Sequence, residues 1–221
     1  MPSIPDHSIL PIVEGDEPTL TDFLLASKLQ LAINRFVFKD WPAEAAQRAN
    51  YGAAVHSGLQ NPETTSLKVV HEESGEIVAH LFLTRRNKSS DAEKPSNSDK
   101  TDEKGSQSET ADALVPAVVG AVTAAIKELE PEAIEGDYFE ITHIYVKPSS
   151  RRRGIGTQLI QLCRERAQVA GVPLTICAEP NHHDFFLKRG FREAKHVDID
   201  LRQWAAENSG YGVFRISRMY G

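Results

Sequence analysis

Between residues 138 and 170 a strand-like alternation meets a proline, a short basic loop and two glycines that open an amphipathic helix, and this order leaves few folds open. The alternation ends at Pro148, and Ser149, Ser150, Arg151, Arg152 and Arg153 form the loop. Gly154 and Gly156 flank Ile155 at the start of a helix whose apolar face is Ile155, Leu159, Leu162, Cys163, Ala167 and Ala170. Glycine permits close backbone approach to a ligand. The first amides of a helix have no partner within it and carry partial positive charge, so they attract anions. Arginines beside them add donors suited to phosphate oxygens. A solvated basic corner is the other reading of the same residues. Two better-known phosphate cradles fit less well. A dinucleotide fingerprint needs a third glycine where Leu159 stands, and a P-loop needs a Gly-Lys-Ser/Thr run that is absent.

The rest of the chain alternates in the same manner, which predicts a layered α/β fold. Residues 8–13 read as a strand, and Leu20, Phe23, Leu24, Leu31 and Ile33 suit one amphipathic helix. An aromatic-rich connection through Phe36, Phe38 and Trp41 follows, and Pro42 suits the first turn of a helix over residues 43–56. Residues 66–71 and 76–84 make a strand–turn–strand hairpin. A helix over 114–129, strands over 138–146 and 174–178, a short helix over 184–188 ended by Gly190, and strands over 191–201 and 213–219 complete the pattern. There is no internal repeat. From 87 to 110 the only apolar residue is Ala92, so this stretch cannot bury enough surface to offset its ordering entropy and reads as a disordered insertion. A phosphorylation-regulated segment is the sharper alternative to a plain solvated loop.

Length and composition narrow the setting. A chain of 221 residues suits one domain, residues 1–221, better than two. No apolar run approaches the ~20 residues of a membrane span, and the first residues lack the basic-then-apolar order of a signal peptide. These features favour a cytoplasmic protein and leave the nucleus open. A net charge of −6 argues against a general nucleic-acid binder. Cys163 and Cys177 lie in apolar runs without a CxxC partner and read as buried thiols.

The run Arg151-Arg152-Arg153-Gly154-Ile155-Gly156 resembles the Arg/Gln-x-x-Gly-x-Gly/Ala pyrophosphate signature of the GNAT N-acetyltransferases. Ile144-x-Val146-x-Pro148 is similar to that family's fourth strand, and Phe185-Phe186-Leu187-Lys188-Arg189-Gly190-Phe191 to its downstream Leu-Tyr-x-Lys-x-Gly-Phe element. The resemblance covers residues 138–201, and the arrangement looks most like fungal-type members with an extra segment before the fourth strand. It implies a mostly antiparallel mixed sheet flanked by helices and splayed between its fourth and fifth strands. It further implies acetyl-CoA as acyl donor and a primary amine of a small molecule or peptide as acceptor, without membrane, nucleic acid or metal, and it sets no oligomeric state. Pantetheine would run along Ile144, Tyr145 and Val146, and the pyrophosphate would sit on Arg151, Arg152, Arg153, Gly154, Ile155, Gly156 and Thr157. Asn181 and Phe186 would complete the cofactor side. Phe38, Trp41 and Tyr211 are candidate acceptor walls, with ordinary core aromatics as the alternative.

N-acylation needs a neutral amine, and an alkylammonium of pKa ~10.4 is almost wholly charged at pH 7, so a base helps. Strict alternation would place Glu140, Thr142, Ile144 and Val146 on one strand face and His143 on the other. Glu140 matches the position of the catalytic glutamate in histone-acetylating members and is the candidate base; a strand-end carboxylate in water is the equal alternative. His182 and His183 read as exposed helix-start residues near the cleft mouth, with a substrate or proton-transfer role as the other possibility. Phe186 departs from the family, which usually has a proton-donating tyrosine there. That departure keeps open a second class, an acyl-CoA-binding module without transferase activity. The insertion is expected to be dispensable: replacing residues 87–110 with a short Gly-Ser linker should leave the melting temperature nearly unchanged, and a drop of many degrees would show that the segment packs.

Overall fold

The computed structural model describes residues 4–87, 112–132 and 134–221; most of the low-complexity stretch lies outside them. Seven strands form one sheet in the order β1-β2-β3-β4-β5-β7-β6. They are β1 (His7–Pro11), β2 (Thr64–His71), β3 (Ile77–Asn87), β4 (Asp137–Val146), β5 (Leu174–Ala178), β6 (Arg192–Asp200) and β7 (Val213–Tyr220). Every neighbouring pair is antiparallel except β4 and β5. A parallel pair requires a crossover, and here the crossover is the amphipathic helix opened by the glycines. Asn87, placed in the insertion by composition, belongs to β3: it pairs with Asp137 and hydrogen-bonds its carboxylate.

Among the described residues six α-helices cover the sheet. They are α1 (Glu17–Lys28), α2 (Asn34–Val37), α3 (Glu44–Gln60), α4 (Pro116–Glu128), α5 (Ile155–Ala170) and α6 (Pro180–Leu187). The residues with one helical period from Leu20 to Ile33 divide between α1 and the turn before α2, because they serve two cores. Leu20, Phe23 and Leu24 pack with Tyr51, Val55 and Phe82. Leu31 and Ile33 pack instead with Val118, Phe214 and Ile216 beneath α4. On the opposite sheet face, Ile155, Leu159, Ile160, Cys163 and Ala167 of α5 pack on Leu81, Leu83, Ile141 and Ile176. The sixth helix begins four residues before the sequence pattern suggested. Pro180 sits in its first turn, where a missing N–H costs nothing.

Two features of β4 position everything that follows. First, Phe82 pairs with His143 but Leu83 pairs with Ile141, which leaves Thr142 as the extra residue of a bulge. The alternation therefore reverses: Ile141, Ile144 and Val146 all face the α5 core, whereas His143 stacks on Phe82 and Tyr145 on Phe23 on the other side. The expectation that Glu140 shares a face with Ile144 and Val146 is thereby corrected; Glu140 lies on the His143 side. Second, β4 and β5 are paired only at Phe139↔Leu174 and Glu140↔Thr175, after which they separate.

At that fork the buried guanidinium of Arg218 donates to Glu140 (2.7 Å), to Thr175 Oγ1 (3.3 Å) and to the carbonyl of Leu129 (2.8 Å). Arg86 donates to the other oxygen of Glu140 at 3.2 Å. Glu140→Ala would strand a guanidinium that is 4% exposed, so a loss of about 3 kcal/mol is expected. In a chain of this size that is a fall of roughly 6–12 °C in melting temperature. A melt within 2 °C of the parent would show that the pair does not hold the fork.

Candidate active site

Past the fork, Ile144, Tyr145 and Val146 keep their β3 partners Leu81, His80 and Ala79 but have no β5 partner. Their second edge is thus open to an extended ligand, as at the edge of any sheet. The strand leads into a turn at Pro148–Ser150, then into Arg151, Arg152 and Gly154. Arg152 (φ 62°) and Gly154 (φ 85°) are left-handed, which turns the chain sharply into α5. No side chain caps that helix, so its first amides stay free for an anion. Ile155, 1% exposed, anchors the helix start in the core. Arg151 donates to the carbonyl of Val146 (3.0 Å) and lies over the Tyr145 ring. Among the described residues no carboxylate pairs with Arg151, Arg152 or Arg153.

The helix start has a fourth cation that the sequence pattern did not single out. Arg189 lies flat over Phe185, 3.6 Å from the ring centroid, and donates to Thr157 Oγ1 at 3.0 and 3.1 Å. Its only sequence signal is its place before Gly190. A Cβ on Gly156 would stand 3.0 Å from Phe185, so this glycine makes room for the ring that carries Arg189.

Behind the open edge of β4 lies a cavity of about 450 Å³, bounded by α1, α2, α4 and the C-terminal end of β5. Thr142, His143, Ile144 and Tyr145 line it, as do Phe38 and Phe186 among the residues singled out from sequence. Phe186 is 1% exposed and packs edge-on against Phe185 and Phe191. Glu140, Asn181, Trp41 and Tyr211 do not line the cavity. Both oxygens of Glu140 are held by arginines. Asn181 is exposed in the first turn of α6. Trp41 sits under Arg35, and Tyr211 packs edge-on against Phe36.

Four ionisable side chains meet where the cavity approaches β5. Glu179, the residue before α6, pairs with Lys28 and lies 3.7 Å from His182. Burial alone would raise its carboxyl pKa, but Lys28 and His182 outweigh burial and bring it down to about 2. His143 has an Nδ1 without a hydrogen-bond partner. Burial, assisted by the charge of Lys28, takes its pKa down to about 4, so the ring is neutral at pH 7. His80, fully buried between Phe23 and Tyr145, is pushed by burial to about 3. His183 points elsewhere, bonded to Glu193 of β6 at 2.7 Å. Both histidines of the 182–183 pair lie within α6 and not in a loop before it.

Comparison with known proteins follows the same lines. Residues 112–193 match the family model described as Acetyltransferase (GNAT) domain, a span that contains the fork, the glycine-started helix and α6. The sheet order, the parallel β4–β5 pair and its splay are those of the GNAT fold. The chain thus has the GNAT fold, and its match to the acetyltransferase domain model spans residues 112–193.

Among solved structures, a putative arylalkylamine N-acetyltransferase 7 from the yellow fever mosquito aligns over 97% of this chain and 87% of its own, with 16% identity and a TM-score of 0.57. A polyamine N-acetyltransferase from Drosophila melanogaster aligns over 98% and 99%, with 14% identity and a TM-score of 0.55. A Corynebacterium glutamicum protein described as histone acetyltransferase HPA2 and related acetyltransferase covers 96% and 95%, with 14% identity and a TM-score of 0.55. At these identities the likeness is one of fold. A search of the curated proteins finds no match. No helix among the described residues is long and apolar enough to cross a membrane.

The buried histidines make stability pH-dependent with a definite sign. Their folded pKa values, about 3 and about 4, lie below the unfolded value near 6.5. The contribution is therefore complete above pH 6.5 and is lost as pH falls toward 4, because the unfolded chain binds protons that the folded one refuses. Each histidine adds up to about 1.4 kcal/mol per pH unit in that window. Melting temperatures between pH 7.5 and 4.5 should fall, and His80→Phe should flatten the dependence; equal slopes would show that His80 is not held neutral.

Proposed function

We propose that this protein is an N-acetyltransferase that takes the acetyl group of acetyl-CoA and delivers it to a primary amine in the cavity behind β4. One observation carries the reading: the unpaired edge at Ile144, Tyr145 and Val146 leads directly into an uncapped helix start, with a cavity on the adjoining side. The backbone of these three residues would hold the pantetheine arm as an added strand. The amides from Arg152 to Thr157, with Arg151, Arg153 and Arg189, would hold the pyrophosphate. Gly154 and Gly156 keep that approach clear, and Asn181 is exposed in the first turn of α6. Acetyl-CoA supplies the acetyl group as an activated thioester.

The chain's own residues handle the proton. An apolar cavity disfavours the ammonium form of an entering amine. His143, neutral and lining the cavity, is the proton acceptor in this reading. Glu179 stays ionised against Lys28 and orients it. Glu140, tied to two arginines, positions the fork. Phe186 offers no proton to the departing sulfur, and a thiol of pKa ~8.5 can leave without one. That same phenylalanine is the observation favouring the second reading, an acyl-CoA-binding module without turnover.

Thiol release from acetyl-CoA across a panel of primary amines separates the two readings. In the transferase reading, His143→Asn should lower turnover by roughly 10²-fold with acetyl-CoA affinity unchanged. Arg152→Glu combined with Arg153→Glu should weaken acetyl-CoA binding by about tenfold or more at low salt without changing the melt. Near-parental turnover in His143→Asn would remove His143 from the mechanism, and unchanged affinity in the double variant would move the pyrophosphate site elsewhere.

A further inference from the structure

We infer that the acceptor is an apolar monoamine, and that polyamines and other dications are excluded by the chemistry of the cavity wall. This rests on the transferase reading only in calling the cavity the acceptor site. The wall has two chemically distinct parts. Next to Ile144 stand His143, Lys28, Glu179 and His182. Away from them the wall is mostly apolar, with Leu31, Val37, Val119, Val122, Phe214 and Ile216, most of which belong to one continuous cluster beneath α4, and Asn34, Asn50 and Thr123 add uncharged polar groups. Among the described residues Glu179 is the only carboxylate on the wall, and Lys28 already neutralises it. Among the described residues the apolar part holds no Asp or Glu side chain.

A molecule with one amino group can place it beside His143 and bury the remainder against hydrocarbon. A second ammonium at its far end would enter the apolar part with no counter-charge and few hydrogen-bond acceptors, which is unfavourable. The wall therefore selects for a single cationic end followed by an uncharged body. The cavity volume, about 450 Å³, suits a small molecule.

The test uses two homologous series, the n-alkylamines from propyl to hexyl and the α,ω-diamines of the same carbon number. Binding to the full chain loaded with CoA, which cannot react, is measured by calorimetry, and KM is measured wherever acetyl-CoA is consumed. The dissociation constant of the alkylamines should fall roughly threefold to fourfold per methylene until the cavity is filled. Each diamine should bind at least ~10²-fold more weakly than its alkylamine counterpart. Thr123→Asp adds a carboxylate at an exposed helix position that lines the apolar part, and should narrow the gap between the series by tenfold or more.

Diamines that bind as well as or better than alkylamines overturn the inference, as does a flat response to chain length or no binding in either series. Alkylamines that bind with the expected slope while acetyl-CoA is not consumed would uphold the cavity's selectivity for monoamines and sink the transferase reading.

Discussion

The contact between Arg218 and Glu140 governs the architecture, because it sits where the sheet stops being continuous. Arg218 joins β7 to β4 through Glu140, to β5 through Thr175 and to the end of α4 through the carbonyl of Leu129. It is buried, and a guanidinium taken from water needs such a full set of acceptors. With these bonds made, β4 and β5 are fixed side by side at one end and are free to part at the other. The cavity and the open strand edge both lie beyond that fork. A sheet paired along its whole length would have neither.

The bulge at Thr142 then decides which side chains the cavity receives. Without the extra residue, His143 would face the α5 core and Thr142 its other side. With it, His143 joins Tyr145, His80 and Phe82 in an aromatic stack next to Lys28 and Glu179. Thr142 settles locally by donating from Oγ1 to the carbonyl of Phe82 and meeting Thr84 Oγ1 at 3.3 Å. A single inserted residue thus brings the His143 imidazole onto the strand face that already carries Glu140.

These facts explain what could be read from the sequence and what could not. The strand, basic loop and glycine-started helix were legible because periodicity and left-handed turns are local properties. The same holds for β5, whose bounds agree with the run from Leu174 to Ala178. The partners of Glu140 were not legible, since Arg218 is 78 residues away and Arg86 is 54 away. The bulge was not legible either, because alternation from Phe139 to Val146 reads equally well without it. Aromatic character alone could not tell Phe38, which lines the cavity, from Trp41 and Tyr211, which pack elsewhere.

The cavity's charges and its buried histidines are connected by one electrostatic condition. Lys28 and Glu179 form a neutral pair, so the wall carries little net charge although it holds two ions. A lone Lys28 would repel a cationic amine, and a lone Glu179 would hold the amine protonated and unreactive. Paired, each cancels the other's long-range effect, and burial keeps His143 and His80 neutral. A neutral imidazole without a hydrogen-bond partner is costly to bury, which explains its confinement to a ring stack that supplies packing in return. The same pairing and the same ring stack thus leave the cavity wall beside β4 with no uncompensated charge among the described residues.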